Sequence, residues 1–290
     1  MRDFVLATDS SCDLPQELVE KFALTVVPLT VTVNENTYKN YLDGREIGFK
    51  EFYDYSREKA EIKTSCPSLD AFEAAFKEIL ESGRDILYLG FSSALSATTQ
   101  NARITAEELT EKYPEAKIIV VDSLAASLGQ GLFIKYVFDE KQKGGTIEEV
   151  AQYAEDIKLH ICHWFTVTDL MHLKRGGRIS ATTAIAGTAL NVKPVMHMDD
   201  EGRLINVGKA RGRKASLGAL LEHMKETAID PAQQTIYISH GDCEDEVREF
   251  AKLIKKEVGF KDVVINYVGP VIGGHTGAGV VALFFYGTHR

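Results

Sequence analysis

The chain has 290 residues, 44% hydrophobic and 26% charged, the proportions of an ordinary globular protein long enough to bury a sizeable core. Its 33 basic and 42 acidic residues give a net charge of −9, which argues against sequence-independent binding to nucleic acid or to an anionic membrane, since both need a positive surface. The cysteines at 12, 66, 162 and 243 lie far apart without C-x-x-C spacing and read as reduced thiols, not as a disulfide framework or zinc site.

The start, MRDFVLATDSS, shows no signal-peptide pattern, and the longest apolar run, residues 278–286, is too short to span a bilayer. The expectation is a cytoplasmic protein with no integral membrane segment. Along the chain, residues 4–8 read as a buried strand closed by DSSCDLP, with Asp13 as N-cap of a helix beginning near Pro15. Residues 25–33 are β-branched and strand-like, with Pro28 suggesting an edge. A helix follows over 47–58, a turn at TSCPS (64–68), and an amphipathic helix over 69–83. The strand 85–91 leads to a helix over 96–113 capped by Ser96, then the strand 117–123 and a helix ending at Gly144-Gly145. That alternation means a parallel sheet with helices on its faces. Thr146 and Glu149 have capping-box spacing. Beyond it come a strand at 160–167, a loop over 173–180, a small-residue helix at 181–190 and a hairpin over 193–210 turned at Asp200-Glu201-Gly202. Helices over 214–228 and 243–258 and strands at 235–241, 262–268 and 280–286 complete the chain.

Two Ser/Thr turns, TSCPS and FSSALSATTQ, join extended segments to helices. In parallel α/β folds ligands lie at the carboxyl ends of strands, where helix N-termini favour anions. The hydroxyls of Thr64, Ser65, Ser93 and Ser96 are therefore either donors for a carboxylate or phosphate, or simple helix caps. Neither G-x-x-x-x-G-K-[ST] nor a strand followed by G-x-G-x-x-G is present. His160 and His163 face opposite sides of a strand and suit packing better than metal binding. The Asp-Ser pairs at 9–10 and 122–123 read as turns. Basic clusters at LKRGGR (Lys174, Arg175, Arg178) and KARGRK (Lys209, Arg211, Arg213, Lys214) suit either bidentate anion recognition or a solvated face. His275 stands among five glycines in GPVIGGHTGAG, between strand-like runs and with no helix expected after it.

The ordered set TDSSCDL, TSCPS, SSALSATTQ, VVDS, DLMHLKRGGRIS, KPV, KARGRKA and GPVIGGHTGAG resembles the DegV family, bacterial fatty-acid-binding proteins also called FakB, over essentially the whole chain. The family usually has Gln where Cys66 stands, Gly for Ala97, an aromatic near Thr99 and Pro for Ala278. The resemblance implies an α/β fold of two α/β domains, residues 1–145 and 146–290, with a ligand pocket between them, a parallel sheet in the first and a mixed sheet in the second. It implies a buried long-chain fatty acid as ligand, no cofactor and no metal, with the carboxylate near Thr64, Ser96 and His275. It also implies a partner fatty acid kinase that phosphorylates that carboxylate for phospholipid synthesis, with Arg178 and Arg211 near the head group and partner surface. The chain would then be a carrier, not an enzyme. The competing readings are a stand-alone kinase-like enzyme, a hydrolase using Ser96 with His275, and a lipid-sensing regulator.

Overall fold

The computed structural model describes residues 2–180 and 191–290; the small-residue helix expected at 181–190 lies outside them. Four strands form a wholly parallel sheet in the order β2-β1-β6-β7, with β1 at Phe4–Asp9, β2 at Thr25–Val27, β6 at Asp85–Gly90 and β7 at Ile118–Asp122. Such strands are covered on both faces, which is why they read as continuous apolar runs. Val5, Ala7, Ile86 and Tyr88 share a core with Phe72 and Phe76 of α3 (Leu69–Glu81) and Leu109 of α4 (Thr98–Lys112). The alternate residues Leu6, Leu87 and Leu89 pack with Leu132 and Phe133 of α5 (Leu128–Lys141) and Val150 of α6 (Ile147–Ile157).

A mixed sheet follows, in the order β10-β9-β8-β13-β11-β12: β8 is Ile161–Thr166, β9 Val192–Met198, β10 Leu204–Arg211, β11 Thr235–His240, β12 Asp262–Tyr267 and β13 Val281–Tyr286. Its pairings are antiparallel except for β11 with β12. Leu283 and Phe285 of β13 face α8 (Arg213–Thr227) and α9 (Glu244–Glu257), while Ala282 and Phe284 face the core that holds α5. Helix α5 packs against β8, β11 and β13, and α6 packs on α5, β6 and β7. The core is therefore continuous across Gly144-Gly145.

Several elements differ from the sequence expectation. Residues 25–33 do not form one strand. Pro28 lacks an N–H, and the chain changes sheets there: β3 (Thr30–Val33) joins β4 (Asn36–Lys39) and β5 (Ile62–Ser65) in a small antiparallel sheet that periodicity did not reveal. Asp13 does not cap α1 (Gln16–Lys21), whose N-cap is Pro15; it sits in the left-handed region, φ 51°, closing a short 3-10 turn. The N-cap of α4 is Ala97, one residue beyond Ser96. Met171–Arg175, which runs into the loop expected at 173–180, forms a short helix, α7. Pro270–Thr276 is helical as well (α10), starting at Gly269 and ending at Gly277 with φ 75°. Pro at the first helical position and Gly just past the end are the signals that were there to be read. The capping box at Thr146 and Glu149 and the turn of the 193–210 hairpin form as expected.

The approach of α5 to β8 depends on Gly129, where a Cβ would fall 2.1 Å from His163 Nε2. Gly129→Ala is expected to cost about 1–3 kcal/mol through overpacking. Gly218, mid-helix in α8, has nothing within 4 Å of a built Cβ, so Gly218→Ala is expected to stabilise by about 0.5–1 kcal/mol. Urea denaturation of both variants checks this; matching midpoints would mean that α5 and β8 are not in tight contact.

Candidate functional site

A cavity of about 830 Å3, counting its mouth, opens where the carboxyl ends of the parallel strands meet the inner face of the mixed sheet. That is the usual position of a ligand site in an open α/β sheet. Its walls are mostly apolar: Leu29, Phe91, Leu95, Phe165, Met198 and Val271 are among the lining residues. These could not be told from core residues by periodicity. Polar side chains gather at its two ends.

The mouth is formed by Thr64 and Ser65 of β5, Cys66, Ser96 before α4, Arg178 after α7, and His275 of α10. His275 Nε2 lies 2.8 Å from Thr64 Oγ1, and its Nδ1 has no partner among the described residues. Burial, and then the nearby Arg178 charge, push the imidazole down to about 4, so it is neutral at pH 7. With its single hydrogen on Nε2, the ring donates to Thr64 and leaves no N–H unpaired. The Thr64 hydroxyl hydrogen is then free to point into the mouth. Ser96 Oγ accepts from Thr98 N–H at 3.3 Å and lies 2.8 Å from Thr98 Oγ1. Arg178 Nε donates to the Leu95 carbonyl at 3.1 Å, which holds the guanidinium at the cavity wall. Together these groups offer hydroxyls, a helix N-terminus and a cation to an anion.

The structure thus brings Thr64, Ser65, Ser96, Arg178 and His275 together. It does not bring Ser93, which is exposed and outside the cavity; Asp122 holds its backbone N–H at 3.3 Å, and the buried hydroxyl is that of Ser92, on the Gly202 carbonyl at 2.9 Å. Arg211, at the end of the edge strand β10, is exposed and also outside the cavity. Ser96 and His275 share the mouth without a hydrogen bond between them, so a nucleophile–base pair is not formed. Nor do the glycines around His275 leave open space for a phosphoryl group. A Cβ at Gly273 would fall 2.7 Å from Phe52, and one at Gly274 2.8 Å from Ile62, so bare backbone is what lets α10 pack closely on α2 (Phe49–Arg57) and β5. Of the four departures from the family pattern, Cys66 lines the cavity, whereas Thr99 is buried with its hydroxyl on the Phe91 carbonyl at 2.6 Å.

The inner end holds Ser127, Ser239 and His163, all buried, which sequence reasoning did not place in a site. Ser127 Oγ lies 2.6 Å from Asp13 Oδ2 and 3.1 Å from Ser239 Oγ. Burial pushes the Asp13 carboxyl up to about 8 against the opposing pull of the Ser127 hydroxyl and the Gly269 backbone. Between the ordinary value of 3.8 and about 8, the folded chain keeps a proton that the unfolded chain releases, so this group removes stability as pH rises through that window. Asp13→Asn, an isostere of the protonated acid, is expected to resist urea better than the parent protein at pH 8.5 and to converge with it near pH 4. A difference independent of pH would mean that Asp13 is ionised in the fold.

The model of the DegV family of uncharacterised proteins matches residues 3–288. A DegV domain-containing protein of Clostridium perfringens is 42% identical over 287 residues, covering 99% of this chain and 98% of that one. A second, from Lactococcus lactis, is 36% identical over 97% of this chain and 96% of its own. Among solved structures, a Thermus thermophilus DegV family protein described for its fatty acid binding superposes with a TM-score of 0.89 at 33% identity, covering 99% of this chain and 100% of its own. A stearic acid-binding protein of Eubacterium ventriosum gives a TM-score of 0.88 at 27% identity, with 97% of each chain covered. With the family model spanning nearly every residue and relatives aligned end to end, the chain belongs to the DegV family.

Proposed function

We propose that this protein is a fatty acid carrier that buries a long acyl chain in the cavity and holds its carboxylate at the mouth. The observation that supports this best is the cavity itself: an apolar interior opening on Thr64, Ser65, Ser96 and Arg178. Burial of each methylene contributes about 0.8 kcal/mol, so a chain of ~16 carbons offers on the order of 10 kcal/mol before ordering costs. Hydrogen bonds to a charged head group add about 1.5–3 kcal/mol each. The tail dominates affinity and the mouth sets orientation. On this reading His275 positions Thr64 instead of touching the carboxylate, and Arg178 supplies the counter-charge.

The carrier reading extends to a partner. A carboxylate held at a half-exposed mouth, with its chain buried, is presented to a second protein, and the chemistry suited to it is phosphorylation by a fatty acid kinase that feeds phospholipid synthesis in the cytoplasm. Exposed Arg211 then belongs to the docking surface and not to the ligand site.

Two measurements test this. Extraction of purified protein should release a long-chain fatty acid, and Ser96→Ala should bind added palmitate about ten-fold or more weakly while staying folded. A protein that arrives empty and ignores palmitate would sink the reading. His275→Ala should lose no more than about ten-fold in palmitate affinity, the value of one neutral hydrogen bond. Its acyl-phosphate production with a fatty acid kinase and ATP at saturating palmitate should fall much further. Production at the parent rate would show that the carboxylate is aimed without His275.

A further inference from the structure

The inner end of the cavity is polar where a plain hydrocarbon chain would need it apolar. Ser127 occupies the N-cap of α5, where a serine hydroxyl ordinarily accepts a hydrogen bond from an N–H two or three residues on. It makes no such bond. Its backbone, φ 54° and ψ −147°, is one that residues with a Cβ rarely adopt, and strain of that kind persists only where the surroundings over-determine it. Asp13 and Leu124, at φ 51° and 50°, are left-handed in the same region. The result turns the Ser127 hydroxyl away from the helix and onto Asp13 and Ser239.

The protons in this chain of oxygens can be counted. Ser127 has one hydrogen and two oxygen neighbours, so it accepts from one of them. If Asp13 were ionised, Ser239 would donate to Ser127 and Ser127 to Asp13, and every hydrogen would be used. With Asp13 protonated, the order reverses: the carboxyl O–H donates to Ser127, Ser127 donates to Ser239, and the Ser239 hydrogen is left over at the cavity wall. Asp13 Oδ1 lies toward Gly269, whose backbone pulls on the carboxyl, and Ser127 Oγ is placed to donate to Ser239, so the carboxyl proton sits on Oδ2, facing Ser127. His163 cannot accept from Ser239. Its Nδ1 lies 2.8 Å from the Ile161 carbonyl and its Nε2 accepts from Ala126 N–H at 3.3 Å. On the neighbouring strands β8 and β13 the cavity is otherwise lined by Phe165, Ala282 and Phe284, which are apolar.

We infer that Ser239, held by Ser127 and Asp13, is a subsite for an oxygen atom carried partway along an acyl chain, so that the cavity takes hydroxy or oxo long-chain fatty acids in preference to plain ones. This rests on the fatty acid reading of the cavity. A plain chain laid against the wall leaves a buried O–H unpaired, whereas a mid-chain hydroxyl or carbonyl pairs it. A site built around a buried donor discriminates strongly against a ligand that leaves the donor empty.

The test is displacement binding with stearate and with positional series of hydroxystearates and oxostearates, on the parent protein, Ser239→Ala and Ser127→Ala. At least one oxygenated acid should bind the parent protein more tightly than stearate. Ser239→Ala should weaken that acid about ten-fold while leaving stearate unchanged or tighter, and Ser127→Ala should act in the same direction, giving a second reading if either variant folds poorly. If no oxygenated acid binds the parent protein more tightly than stearate, or if the variants weaken both ligands equally, the subsite is wrong and the carrier reading stands. If stearate and the oxygenated acids all fail to bind, both fall.

Discussion

Helix α5 has no solvent face along its first seven residues, and the rest of the molecule is arranged around that constraint. Leu128 through Ile134 are all buried, because one side of the helix packs on the parallel sheet and the other on the mixed sheet. A helix in that position cannot be amphipathic. It needs small residues where backbones close in: a Cβ at Gly131 would fall 2.8 Å from Leu14, just as one at Gly129 would strike His163. The two sheets therefore sit at a fixed spacing, and the cavity is the space left where α5 begins.

Burying the first seven residues of α5 also buries Gln130, the one polar side chain among them, and the chain answers with a closed network. Gln130 Oε1 accepts from Ser11 at 2.8 Å and its Nε2 donates to Thr8 at 3.0 Å. Asp9, at the end of β1, takes hydrogen bonds from Tyr88 at 2.7 Å and from Phe91 N–H at 3.0 Å. Burial raises the Asp9 carboxyl and these donors pull it back, so the group is tied to its neighbours in either protonation state. The network pins the carboxyl ends of β1 and β6, from which Phe91 and Leu95 reach the cavity. The Asp-Ser pair at 9–10, which reads as a turn in the sequence, is that turn with a buried network built on it.

How much was legible follows from the range of the interactions involved. Strands β1, β6 and β7 and helices α3, α6 and α9 carry their own periodicity or caps, so local sequence sufficed. The small β4-β3-β5 sheet did not show, since strands of four residues give too short a pattern and Pro28 hides the change of sheet. Helix α10 was masked by its glycines, whose role is contact with α2 and β5, elements more than 200 residues earlier in the chain. The mouth residues were legible because hydroxyls before helices and an Arg directly after two glycines are conspicuous as residue types. Ser127 was not, because a serine before a helix looks like a cap until its backbone is known, and Ser239 was not, because a single serine inside a strand shows no partner in the sequence.

The mouth is assembled from four separate elements: β5, the turn before α4, the turn after α7, and α10. Ser96 and Arg178 bond neighbours two residues away, Thr98 and the Gly176 carbonyl, but bringing the groups together depends on the packing of the elements that carry them. Thr64 illustrates the dependence: β5 pairs it opposite Val31 of β3, while α10 brings His275 against its hydroxyl from 211 residues away. Close packing of α10 fixes that distance, and neutral His275 then fixes which way the Thr64 hydrogen points. On the proposed reading this separates two demands. The buried walls and inner end decide which chain is held, through area and one oxygen-sized polar spot. The mouth decides how the carboxylate faces outward and supplies the smaller share of the affinity, so its geometry can be set by glycine-mediated packing.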